Sequence, residues 1–115
     1  MTIHIKNAFF YSIDGFKATF DEETAFRAVI LQAIIVSALM LILPFTYTQQ
    51  AFLAISLALT LIVELLNSSL ENIVDLITAD WHILAKKAKD MGSAAQFTAS
   101  ASIYVQLAII FLNNG

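Results

Sequence analysis

The sequence predicts an all-α membrane protein with three transmembrane helices and an N-terminal amphipathic helix on the membrane surface. Of 115 residues, 59% are hydrophobic and only 13% are charged, with a formal net charge of −3, whereas soluble domains carry roughly 25% charged residues. A mean hydropathy of +0.79 leaves too little polar surface to keep a helical bundle in water. Three glycines and one proline offer few breaks, so the chain reads as helix almost throughout. The absence of cysteine removes any disulfide framework or thiolate metal site. At this length one domain, residues 1–115, is expected.

From Met1 to Glu22, Phe9, Ile13, Phe16 and Phe20 recur at helical spacing among Lys6, Asp14, Lys17 and Asp21, the pattern of a helix lying in the interface. This segment is too charged to span and has no small-residue cleavage site, so it reads as a persistent surface helix rather than a signal peptide. Between Ala25 and Leu43 only Arg27 and Gln32 are strongly polar. At about 1.5 Å per residue this stretch covers roughly 28 Å, close to the hydrocarbon thickness. Pro44 closes the first span, and the short uncharged stretch to Gln50 turns the chain back into an antiparallel second span, residues 51–70. That helix is expected to continue in polar form towards Asp80. Lys86 to Asp90 are expected to form a charged turn before a third span, residues 93–112. Its run of small residues, from Ser93, Ala94 and Ala95 to Ala101 and Ser102, suits close packing against protein. Lys6, Lys17, Arg27, Lys86, Lys87 and Lys89 then fall on one side, so the positive-inside rule predicts a cytoplasmic N-terminus and an external C-terminus.

The segment VELLNSSLENIVD, Val63 to Asp75, places charge where hydrocarbon is expected. A carboxylate at a helix centre costs about 2.5 to 3.5 kcal/mol on insertion scales, so such residues are functional candidates. Glu64, Asn67, Ser68, Glu71 and Asp75 gather into one stripe at about 100° per residue. The stripe can be read as interhelical glue, a frequent role of asparagine and serine in membranes. Two glutamates one heptad apart are a costly way to make glue, whereas paired carboxylates can bind Mg²⁺ and take up protons. Glu64 lies about 20 Å past Ala51, nearer the cytoplasmic surface than the bilayer centre. No GxxxxGK[ST] phosphate loop, glycine-rich kinase loop, HRD or DFG is present. The residues alone therefore reach a small membrane protein with a cytoplasm-facing carboxylate site. A small proton-coupled transporter subunit is the competing class.

In combination, VELLNSSLENIVD, the AKDMGSAA at Ala88 to Ala95 and the ETAFR at Glu23 to Arg27 resemble the prokaryotic diacylglycerol kinase family, over nearly the whole chain. AKDMGSAA is closer to the Gram-negative members than to the undecaprenol kinases, which tend to carry AKDVAAGA; undecaprenol kinase is the sister alternative. The resemblance implies a homotrimeric enzyme of the bacterial inner membrane with sites shared between subunits. It implies transfer of phosphate from ATP, with Mg²⁺, to diacylglycerol, giving phosphatidic acid, and no nucleic-acid partner. Glu64 is then the catalytic base, and Glu23 and Glu71 hold the metal against the ATP phosphates. Lys89 and Asp90 contact ATP, Asp80, Trp81 and His82 lie beside the adenosine, and Tyr11 approaches from the surface helix. Arg27, Asn67 and Ser93, with Glu64, bind substrate.

Simpler readings stand beside these. Lys86 and Lys87 serve as topology determinants, and Trp81 also suits an interfacial belt. His82 has no second histidine nearby with which to bind metal. Glu22 and Glu23 also suit the positive end of a helix dipole. Arg27 can pair with an acidic residue or with a lipid phosphate. Val29 stands where family members often place a glutamate, and His4 where they have a basic residue; neither departure touches Glu64, Glu71 or Lys89.

Overall fold

The computed structural model describes residues 2–114, with side chains through Asn113; Met1 and Gly115, at the ends of the expected surface helix and tail, lie outside the described residues. Four helices follow one another: α1 (Thr2–Glu22), α2 (Thr24–Ile42), α3 (Tyr47–Ile77) and α4 (Ile83–Asn114). Among the described residues there is no strand. The last three helices are long and apolar enough to cross a membrane.

Local chemistry sets the helix limits. Glu23 adopts extended backbone angles and alone separates α1 from α2. Leu43, also extended, caps the end of α2, and the following Pro44 cannot continue the helix. The α3 helix starts at Tyr47, ahead of the apolar run, because Thr46 and Gln49 form a reciprocal capping box. It continues unbroken through the polar stripe to Ile77.

The charged segment from Lys86 to Asp90 is helical, not the turn the sequence suggested. It has no glycine or proline, alanine and lysine favour helix, and the ammonium of Lys86 lies 2.6 Å from the Asp90 carboxylate one turn on. The turn falls earlier. The Thr78 hydroxyl accepts the Asp80 N–H at 3.2 Å, and His82 Nδ1 accepts the Leu84 N–H at 3.1 Å, capping the start of α4.

Helices α3 and α4, of 31 and 32 residues, are each roughly 47 Å long against a hydrocarbon layer of about 30 Å. Their excess length projects from one end. The same end receives the junction of α1 and α2, because the three long helices alternate in direction. At the other end the core is built from Val36, Phe45, Leu53, Leu57, Ile103 and Ile110, with Phe45 and Phe111 edge to face at 6.0 Å.

Polar contacts fix the register of the α3–α4 pair. The Gln106 side-chain amide donates to the Ser56 hydroxyl, the Thr60 hydroxyl lies 3.5 Å from the Ala99 carbonyl, and Lys89 meets Asp75 at 2.7 Å. On the outer side, Gln32 of α2 donates to the Tyr104 hydroxyl of α4 at 2.8 Å. The small-residue helix α4 buries Ala99, Ile103 and Ile110 against the bundle while Phe97, Tyr104 and Leu112 face outward. The α1 helix buries none of its residues and touches the bundle through Phe16, 6.3 Å from the buried Phe26.

Candidate active site at the polar end of the bundle

Glu64 is 3% exposed, and with Thr60 and Ser68 it forms the buried polar edge of α3. One turn before it Thr60 meets the α4 backbone, and one turn after it Asn67 faces Gly92 of α4. A carboxylate so enclosed sits at the seam of the two helices rather than on a lipid-facing surface. Glu71 stands two turns further along α3, and Glu23 is the single residue between α1 and α2.

The amide of Asn67 holds one of these carboxylates, donating from Nδ2 to Glu71 Oε1 at 3.4 Å. Its Oδ1 is buried with no hydrogen-bond partner. Towards the end of the bundle, Asp75, Asp80, Trp81, His82, Lys86, Lys89 and Asp90 line a single cleft of about 300 Å³. Five of the residues expected around the nucleotide are therefore side by side. Lys89 stands outside the apolar stretch of α4, and its hydrogen bond to Asp75 raises its ammonium above the ordinary lysine value, so it is a full cation at neutral pH.

Seven expected site residues are not among those lining the cleft: Glu23, Glu64, Asn67 and Glu71 lie off it, together with Tyr11, Arg27 and Ser93. Tyr11 is 70% exposed on α1, and Ser93 is exposed on α4. The Arg27 guanidinium donates to the Phe20 carbonyl at 2.8 Å and the Asp21 carbonyl at 3.3 Å. It thereby closes the C-terminal end of α1, where helix carbonyls lack partners.

The comparisons with known proteins decide the class. A profile of the prokaryotic diacylglycerol kinases matches residues 10–111. The chain belongs to that family. It is 44% identical to a diacylglycerol kinase of Pseudomonas aeruginosa over 108 residues, covering 94% of this chain and 88% of the relative. It is also 44% identical to a diacylglycerol kinase of Helicobacter pylori over 89 residues, 77% of this chain and 70% of that protein. The Escherichia coli K12 diacylglycerol kinase is 38% identical over 92 residues, 77% of this chain and 73% of the relative. Membership of the prokaryotic diacylglycerol kinase family makes the chain a lipid kinase and sets aside the transporter alternative.

Two features of the site were not singled out by reading the stripe alone. Asp75 was placed on the polar face, but its partner Lys89 lies on another helix, and sequence spacing carries no information on that pairing. Gly92 sits inside a helix, where glycine is less stable than alanine. That local inconsistency is the signal by which the sequence marks it.

Proposed function

We propose that the chain transfers the terminal phosphoryl group of ATP to diacylglycerol, giving phosphatidic acid, at the cytoplasmic face of a bacterial inner membrane. The observation that carries this reading is the burial of Glu64 on the α3 stripe that also holds Asn67 and Glu71, within a kinase family. A lipid hydroxyl becomes a competent nucleophile as its proton is taken, and Glu64 is the carboxylate assigned that role. Phosphoryl transfer otherwise requires positioning and neutralisation of charge.

Asp80, Trp81 and His82 border the adenosine, while Lys89 and Asp90, which line the same cleft, meet the phosphates. Lys89 exchanges part of its hold on Asp75 for a phosphate oxygen. Asn67 orients Glu71. Glu23 and Glu71 are the residues that would hold Mg²⁺, which takes one or two carboxylates together with phosphates and water. Neither carboxylate is in an ion pair among the described residues, which leaves both free to serve a divalent cation. Once bound, Mg²⁺ supplies neutralisation of the charge on the transferring phosphoryl group.

A homotrimer with sites shared between subunits completes the proposal. Within one chain Tyr11, Arg27 and Ser93 stay off the cleft, and three spans are few to enclose a lipid and a nucleotide. The six basic residues, none of which falls in the Pro44 loop or the C-terminal tail, support a cytoplasmic N-terminus and a periplasmic C-terminus.

The test is phosphate transfer from MgATP by the purified protein in mixed micelles, with diacylglycerol and undecaprenol offered separately. Transfer to diacylglycerol that disappears in Glu64→Gln supports both substrate and base. Preference for undecaprenol moves the chain to the sister activity, and no transfer to either ends the reading.

A further inference from the structure

Gly92 of α4 faces Asn67 in the polar stripe of α3. A Cβ built on it would lie 2.0 Å from Asn67 Oδ1 and 3.1 Å from Asn67 Cγ. Its backbone φ is not positive, so conformation alone does not call for glycine. The space does. Alanine is the better helix former, so retaining glycine here marks a requirement other than helix stability.

The space that Gly92 leaves is taken by the Asn67 amide. Its NH₂ reaches Glu71, and its oxygen is buried in the seam without a partner. A buried amide oxygen left unpaired is unfavourable, so these contacts are a poor way to stabilise the fold. They are a good way to hold the Glu71 carboxylate in one orientation.

We propose that Gly92 is a positioning residue for phosphoryl transfer, acting through Asn67 on Glu71. This rests on the reading of Glu71 as part of the catalytic site. Asn67 is short and its end can rotate, so Gly92→Ala is expected to fold by swinging the amide away from Glu71 rather than by moving α4.

The experiment is a double-mutant cycle with Gly92→Ala, Asn67→Ala and the pair, measuring kcat, KM for ATP and the Mg²⁺ concentration giving half-maximal rate. Gly92→Ala is expected to lower kcat about tenfold or more and raise the half-saturating Mg²⁺ about threefold, with KM for ATP changed less than about twofold. In the Asn67→Ala background, adding Gly92→Ala is expected to change kcat by less than about twofold, because the atom it displaces is gone. Wild-type turnover in Gly92→Ala, or losses that multiply in the pair, overturns the inference. Should Gly92→Ala fail to fold, the pair must fold, since the close contact has been removed; failure of both also overturns it. A non-additive cycle beside unchanged Mg²⁺ dependence in Glu71→Gln removes the metal role of Glu71 and leaves the Gly92–Asn67 coupling standing.

Discussion

Lys89 of α4 donates to Asp75 of α3 at 2.7 Å, with the two side chains 41% and 60% exposed. A pair this open to water contributes little to stability. Its effect is placement, since it points the ammonium into the cleft bounded by Asp80, Trp81 and His82. Removing the cation should therefore damage turnover far more than folding. Lys89→Met is expected to lower kcat about a hundredfold or more with an unchanged unfolding midpoint. Asp75→Asn, which keeps the cation but frees it, is expected to lower kcat only about threefold to tenfold. Wild-type kinetics in Lys89→Met removes that residue from the phosphate site.

Glu64→Gln preserves volume and removes the proton acceptor. Because Glu64 is held at the α3–α4 seam and is not in an ion pair among the described residues, the amide is expected to be accommodated. Turnover should fall to about 1% or less while ATP binding and helical content persist. Equilibrium binding of a nucleotide analogue, measured beside the assay, separates the two effects. Substantial residual turnover contradicts the base assignment.

Sequence patterning reached the spans and the stripe because both depend on local periodicity. Apolar residues and length set where α2, α3 and α4 can lie in a bilayer, and heptad spacing put Glu64 and Glu71 on one face. The starts of α3 and α4 were less accessible. Thr46 and Gln49 did carry a capping-box signature, but hydropathy pointed to Ala51. At Lys86 to Asp90 the charge suggested a turn, whereas alanine, lysine and an i,i+4 pair favoured helix. The partners Lys89–Asp75 and Asn67–Gly92 depend on how two helices are set against each other, and a single sequence does not encode that register in any local pattern. Arg27 illustrates the same limit, since its α1 carbonyl partners become visible only once Glu23 has turned the chain.

Glu71 accepts from Asn67 and is in no ion pair among the described residues, so neutralising it should alter metal use before it alters folding. Glu71→Gln is expected to raise the half-saturating Mg²⁺ about tenfold or to abolish activity at millimolar metal. A Mg²⁺ titration at fixed ATP reads this directly. An unchanged titration makes Glu71 a structural member of the stripe.

The core opposite the site allows stability to be changed without touching chemistry. Leu53 is 0% exposed and packs with Val36, Leu57 and Ile103, whereas Leu41 is 88% exposed on α2. In a bilayer, lipid tails are as apolar as leucine, so helix association depends on packing rather than on escape from water. Truncating Leu53 loses contacts on every side; truncating Leu41 exchanges contacts with lipid. Leu53→Ala is expected to destabilise the folded protein by about 2 kcal/mol, at the lower end of the soluble range because the transfer contribution is small. Leu41→Ala is expected to lie within about 0.5 kcal/mol of wild type. Reversible unfolding in mixed micelles measures both, and both variants should retain wild-type kcat while folded. Equal destabilisation by the two would mean that Leu41 is covered by protein rather than lipid, as a face between copies of the chain would be.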